Sequence, residues 1–179
     1  MLKNVLILST SLRKNSNSEA VASAFAKGAR DAGHRVQEIS LRGKNIGFCK
    51  GCLVCQKTGS CVIQDDAVEI AQRMQDADVL VFATPIYYYE MSGQMKTLLD
   101  RVNSLYGSDY RFKEIYFLST AAEDEKGVDS RAIGGLEGWI ACFERARLSG
   151  SVFAGGVNEA GEIEGHQALR DAYHMGSKV

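Results

Sequence analysis

The chain has little that would stiffen it, charge it or anchor it. Its 179 residues include one proline (Pro85), one tryptophan and three histidines. A single proline leaves no room for Pro-rich linkers, and no internal repeat or low-complexity tract stands out. Neither sign of charge dominates. The 21 Lys and Arg against 22 Asp and Glu give a net charge of −1, which removes any electrostatic case for nucleic acid or an acidic membrane as partner. No apolar run approaches the roughly 20 residues that span a bilayer. The opening MLKNVLILSTSLRKNS lacks the apolar core and cleavage site of a signal peptide. A cytoplasmic protein without membrane contact is therefore expected. There is no G-x-G-x-x-G and no G-x-x-x-x-G-K-[ST], which disfavours a dinucleotide fingerprint and a nucleoside-triphosphate loop. No catalytic triad or carboxylate pair is visible. His34, His166 and His174 are scattered away from any nucleophile or ligand pattern, so no catalytic side chain is assigned.

What is present is ordinary for one soluble domain, 1–179, with one core. Short apolar runs alternate with amphipathic stretches. Asn4–Ser9, His34–Leu41, Asp78–Thr84, Lys113–Thr120 and Ser149–Val157 read as strands. Between and after them, 18–32, 65–77, 92–105, 133–147 and 165–176 read as helices. Gly33 marks the first helix stop, and Asp65 and Asp66 cap and charge the start of the second. DVLVFAT is continuously apolar, as in a strand covered on both faces. Strict alternation predicts an α/β fold of three layers, with a five-stranded parallel sheet between helices. Ligands on such sheets bind at the carboxyl ends of strands, beside the switch in strand order. Chemistry is thus expected in the segments after the first, third and fourth strands.

Two of those segments are suggestive. STSLRKNSNS gathers Ser9, Thr10, Ser11, Ser16, Asn17 and Ser18 around Arg13 and Lys14 where the first helix begins. Hydroxyls, a guanidinium and a helix N-terminus suit a monophosphate. The plain alternative is a polar loop with Asn17 or Ser18 as helix cap. After the third strand, TPIYYYEMSG places three tyrosines and exposed backbone where a planar ring could stack. The alternative there is that Tyr87–Tyr89 cover the core edge or form a subunit contact. Ser92 is a plausible cap for the next helix.

Together these two loops resemble the flavodoxin-like NAD(P)H-dependent FMN reductase family, a resemblance that extends from Lys3 to about Lys178 and includes CVIQDD and ALRDAYHMGSK. It implies a flavodoxin-like α/β/α sandwich and an FMN-dependent oxidoreductase, with NAD(P)H as reductant and a small molecule or an electron-carrier protein as acceptor. It further implies that Ser11, Arg13, Ser16, Asn17 and Ser18 hold the FMN phosphate. Pro85, Ile86, Tyr87 and Tyr88 would hold the isoalloxazine ring, with Thr120, Ala121 and Ala122 bordering it from the other side. A homodimer or homotetramer is implied as well. Thr10 departs from the commoner glycine of the first loop. A non-enzymatic flavodoxin-like electron carrier is the competing class.

The remaining feature is CKGCLVCQKTGSC, which holds Cys49, Cys52, Cys55 and Cys61, four of the five cysteines. A reducing compartment argues against a disulfide framework, and zinc sites usually pair two separated knuckles. The C-x2-C-x2-C-x5-C spacing resembles the iron–sulfur flavoprotein branch of the family, which implies a [4Fe–4S] cluster exchanging electrons with FMN and a ferredoxin-type carrier. Free thiols shaping the flavin pocket or a partner surface, another metal and a redox disulfide stay open. Cys142, alone in an apolar helical pattern, is expected to be a buried structural thiol.

Overall fold

The computed structural model describes residues 1–179. β1 (Asn4–Ser9) is buried along nearly its whole length, which a parallel strand flanked on both sides and covered on both faces requires. It leads into α1 (Asn17–Asp31), capped by the Ser16 hydroxyl, which accepts from the Glu19 N–H at 3.2 Å. Gly33 (φ +89°) follows the end of α1, where the His34 N–H reaches back to the Ala29 carbonyl at 3.0 Å. That left-handed position is open to glycine at no steric cost. β2 (Arg35–Ser40), α2 (Val54–Thr58) and α3 (Asp66–Asp76) follow. Next come β3 (Val79–Tyr87), β4 (Glu90–Met91), α4 (Gly93–Arg101) and a one-turn 3-10 helix (Asn103–Leu105). β5 (Glu114–Thr120), α5 (Ser130–Ile140), β6 (Arg147–Ala154) and α6 (Gln167–Gly176) complete the order.

The five long strands pair in parallel, in the order β2-β1-β3-β5-β6, with the two-residue β4 antiparallel to β3. This is the flavodoxin-like arrangement, with the order reversing between β1 and β3. Alternate residues sort the core by period two. Leu6, Leu8, Leu80, Phe82, Ile115 and Phe117 face α3, α4 and α5. Val5, Ile7, Val79, Val81 and Leu118 face α1 and α6. No helix is long and apolar enough to cross a membrane.

Some expectations need correcting. β3 runs three residues further than its apolar run, through Pro85, because it continues into a hairpin with β4. β1 has already ended opposite Ala83, so the missing proline N–H costs no bond to that neighbour. The expected helix 133–147 is instead Ser130–Ile140, and the chain turns at Ala141–Cys142. Cys142 is consequently exposed, not buried. Its apolar neighbours Ile140 and Phe143 take the core positions. The histidines serve local structure. His34 Nδ1 accepts from the Lys3 N–H, and His166 caps α6 by accepting from the Ala168 N–H.

α1 and α6 cross so closely that each must present a glycine. A Cβ on Gly28 would collide with the Tyr173 carbonyl, and one on Gly176 with the Phe25 carbonyl. Backbone cannot swing aside as a side chain can. Gly176→Ala is expected to lower the unfolding free energy by about 1–3 kcal/mol or more, despite the better helix propensity of alanine. Urea denaturation checks this, and an unchanged midpoint would show that the helices can separate freely.

Candidate functional site

β1 and β3 stop pairing at Ser9 and Ala83. Beyond that point their loops diverge and side chains take over the connection. The Thr10 N–H and hydroxyl both reach the Ala83 carbonyl, at 2.9 and 3.1 Å. The same hydroxyl lies 3.0 Å from Ser92 Oγ, and Ser92 Oγ lies 3.1 Å from Thr84 Oγ1. Ser92 also caps α4 by accepting from the Met95 N–H. All three residues are fully buried. Thr10 therefore contributes a hydroxyl that glycine would lack, and it joins the first loop to the third-strand loop.

These loops and the ends of β5 and β6 enclose a cavity of about 380 Å3. Ser11, Arg13, Ser16, Asn17 and Ser18 line one end. Pro85, Ile86, Tyr87 and Tyr88 form one side, and Thr120, Ala121 and Ala122 the other. All twelve residues expected from sequence are thus brought together. At the polar end Ser16 caps Glu19, which leaves the N–H groups of Asn17 and Ser18 without intrahelical acceptors. Ser11 and Ser18 are buried, whereas Arg13 is exposed and donates to the Asn158 carbonyl at 2.6 Å. The Asn17 side chain is already engaged with the Glu159–Ile163 turn. Behind the opposite wall, buried Asp129 accepts from Ser119 Oγ at 2.8 Å.

The tyrosine side is a two-residue hairpin. Tyr88 and Tyr89 have φ of +50° and +66°, the left-handed backbone that a type I′ turn requires and that usually selects Asn or Gly. Tyrosine there costs roughly 1–2 kcal/mol per residue. Tyr88 is nevertheless 96 % exposed, so packing within the chain does not repay that strain.

Tyr89, the third tyrosine of the expected aromatic run, lines the cavity too, and sequence reasoning missed Glu123, Val128, Val157 and Asn158, which also line it. The signal for the last two was the carboxyl end of β6, whose Gly155 and Gly156 follow a strand pointing at the same cleft. A Cβ on Gly155 would lie 2.7 Å from Asp124 Cα, so only glycine lets β6 pass the 121–128 loop.

The four-cysteine segment follows β2 and lies outside the cavity lining. Between residues 42 and 64 only Cys55 is buried. What holds the segment is Arg101 at the end of α4, 1 % exposed. Its Nη1 donates to the Gly47 carbonyl (2.7 Å) and Asp65 Oδ2 (2.6 Å). Its Nη2 donates to Asp65 Oδ1 (2.8 Å), the Ile63 carbonyl (3.1 Å) and Cys61 Sγ (3.5 Å). Asp65 caps α3, as expected, through the Ala67 N–H. Its pairing with Arg101 was not foreseen. The guanidinium, helped by the Gly47 and Ala67 N–H groups, holds the Asp65 carboxyl below the usual carboxylate range.

A [4Fe–4S] cluster needs four convergent thiolates. The donor types and spacing suit it, but no three Cys, His, Asp or Glu side chains are grouped to hold a metal ion. Cys55 Sγ accepts from Asn103 at 3.7 Å and Cys61 Sγ from Arg101, while Cys49 and Cys52 are exposed. As folded, the segment does not present the ligand set.

The profile of the family described as NADPH-dependent FMN reductase matches residues 3–132. Two relatives named iron-sulfur flavoprotein resemble most of the chain. That of Archaeoglobus fulgidus is 29% identical over 167 residues, covering 93% of this chain and 74% of that protein. That of Methanosarcina thermophila is 25% identical over 169 residues, covering 94% and 85%. Among solved structures, an NAD(P)H:quinone oxidoreductase from Methanothermobacter marburgensis shares the fold. Its TM-score is 0.74 at 19% identity, covering 99% of this chain and 97% of that one.

Because Asp65 is held ionised in the folded chain, its contribution is present above the unfolded carboxyl range, near pH 4. It is lost as pH falls through the lower folded value. Asp65→Asn leaves a buried guanidinium uncompensated and is expected to cost about 3 kcal/mol at pH 7. The gap between variant and parent should narrow below about pH 4. Urea titrations at several pH values test both parts, and a pH-independent difference would contradict the ion-pair account.

Proposed function

The chain belongs to the NADPH-dependent FMN reductase family, and from that premise we propose that its cavity holds FMN along the switch-point cleft. FMN is the cofactor and NAD(P)H the reductant of this flavin oxidoreductase, which transfers electrons to small acceptors. The observation that carries the placement is the gathering of hydroxyl, guanidinium and aromatic residues around one cavity. Its volume falls in the range of cofactor sites, roughly 300–1,000 Å3.

The donor set fits a phosphate monoester. Ser11 and Ser18 offer hydroxyls, Asn17 and Ser18 offer backbone N–H groups at the positive end of α1, and Arg13 offers its guanidinium from the exposed side. The backbone of Pro85–Tyr88 and the wall of Thr120–Ala122 orient a flat ring between them. Bound FMN supplies the electron-transfer chemistry, so the protein needs no nucleophile or acid of its own. Exposed Leu12, Phe48 and Tyr88 around this cleft and the adjoining groove support a homo-oligomer.

Steady-state oxidation of NAD(P)H by the FMN-loaded protein, with quinone or free flavin as acceptor, tests the reading. Rapid exchange with ferredoxin and no turnover with any small acceptor would favour an electron carrier instead. Arg13→Ala is expected to weaken FMN binding by about 1.5 kcal/mol, the low end for a charge-assisted bond because Arg13 is exposed. An unchanged dissociation constant would remove Arg13 from the site.

The cysteine spacing and the names of the two relatives support a second reading, in which Cys49, Cys52, Cys55 and Cys61 hold a [4Fe–4S] cluster. It requires residues 47–65 to rearrange around Arg101. Iron and sulfide analysis of anaerobically purified protein decides the matter. About four irons per chain would establish the cluster, and flavin without iron would rule it out in that preparation.

A further inference from the structure

We propose that Asn17 is a positioning residue that holds one wall of the flavin cavity in place, instead of binding phosphate through its side chain. The proposal rests on the FMN reading above. Asn17 is the first residue of α1 and is buried. Its Nδ2 donates to the Glu159 carbonyl at 2.8 Å, and its Oδ1 accepts from the Gly161 N–H at 3.1 Å and the Ile163 N–H at 3.3 Å. The partners fix the amide orientation, because a carbonyl can only accept and an N–H can only donate. Both acceptor positions of Oδ1 are filled, and one Nδ2 hydrogen remains. An amide committed in this way has little left for an anion.

The bonds matter because of where the 155–163 segment goes. At one end the Val157 N–H donates to the Ala121 carbonyl at 2.9 Å, in the wall opposite the tyrosines. In its middle Glu162 Oε2 accepts from the N–H groups of Asn158 and Glu159, at 2.7 and 2.9 Å. At the other end the turn closes on Asn17. Val157 and Ile163 are buried against the α1 side of the core, while Val157 and Asn158 also line the cavity. The segment is therefore a bridge from the ring wall to the first turn of α1, and Asn17 is its anchor on the phosphate side. Arg13 adds one exposed bond to the same bridge, at the Asn158 carbonyl. Without the Asn17 amide, two N–H groups and one carbonyl of the bridge lose their partners.

A phosphate ligand and a bridge anchor differ in which measurement responds. Amide hydrogen exchange on the full chain without flavin should show Gly161 and Ile163 losing protection in Asn17→Ala. FMN and riboflavin titrations should show both weakened by the same factor, about tenfold, since riboflavin lacks only the phosphate. Asn17→Asp keeps the acceptor for the Gly161 and Ile163 N–H groups but turns a second oxygen toward the Glu159 carbonyl, so it should restore part of the protection that alanine loses; it also serves if the alanine variant fails to fold. Unchanged exchange in Asn17→Ala, or a loss confined to FMN, would overturn the proposal. A parent protein that binds neither flavin would sink the functional reading instead, and the exchange result would still judge the anchor.

Discussion

The cleft exists because the β1–β3 ladder ends at Ser9–Ala83 while both chains continue. Parallel strands in a doubly wound sheet must leave for opposite layers at the switch point, and a gap opens between their loops. Left to backbone alone, that gap would expose unpaired polar groups to the core. Thr10, Thr84 and Ser92 close its floor with a buried hydroxyl cluster. Each hydroxyl both donates and accepts, so three of them can satisfy one another and the adjoining backbone. The cluster also couples two functions in one place. The residue after β1 and the cap of α4 are held at hydrogen-bond distance, which fixes the α1 end of the cavity relative to the tyrosine side.

From that floor the cavity divides by chemistry. Its α1 end has small hydroxyl side chains, free N–H groups and one cation, which together favour an anion. Its other end has Ile86, the tyrosines, Ala121, Ala122 and Val157, which favour a flat apolar body. A ligand with a phosphate at one end and a fused ring at the other satisfies both ends at once. The bridge from β6 joins the two walls, so the spacing between ends is set by hydrogen bonds and not by loop flexibility. A scaffold of this kind positions a cofactor and leaves the bond-making to it.

The sheet was legible because its signal is local and repeated: apolar runs of strand length alternating with helical periodicity, each needing a covered face. The hydroxyl-rich end of the cavity was legible for a similar reason, since hydroxyls and an arginine crowd into ten residues where a helix begins. The bridge was hidden because its bonds join residues some 140 positions apart, as for Asn17 with Gly161 and Ile163. An asparagine at a helix start looks the same in sequence whether it caps, binds an anion or anchors a distant turn. Arg101 was hidden for the opposite reason. LLDRVNSL falls in a stretch that reads as a helix, where an arginine ordinarily faces water, yet that guanidinium serves as a polar core for a segment with one buried side chain of its own.

The tyrosine hairpin shows where sequence rules fail in an informative way. Two-residue turns of this backbone ask for Asn-Gly, and the chain supplies Tyr-Tyr. Contacts within the chain recover only part of the cost, because Tyr88 is almost fully exposed and Tyr87 and Tyr89 are about half exposed, Tyr89 beneath the Arg131 guanidinium. Local strain kept with little local compensation is characteristic of sites where the strained residue contacts something else. The same tyrosines line the cavity, so what would compensate the turn is the surface they cover when a ring occupies it.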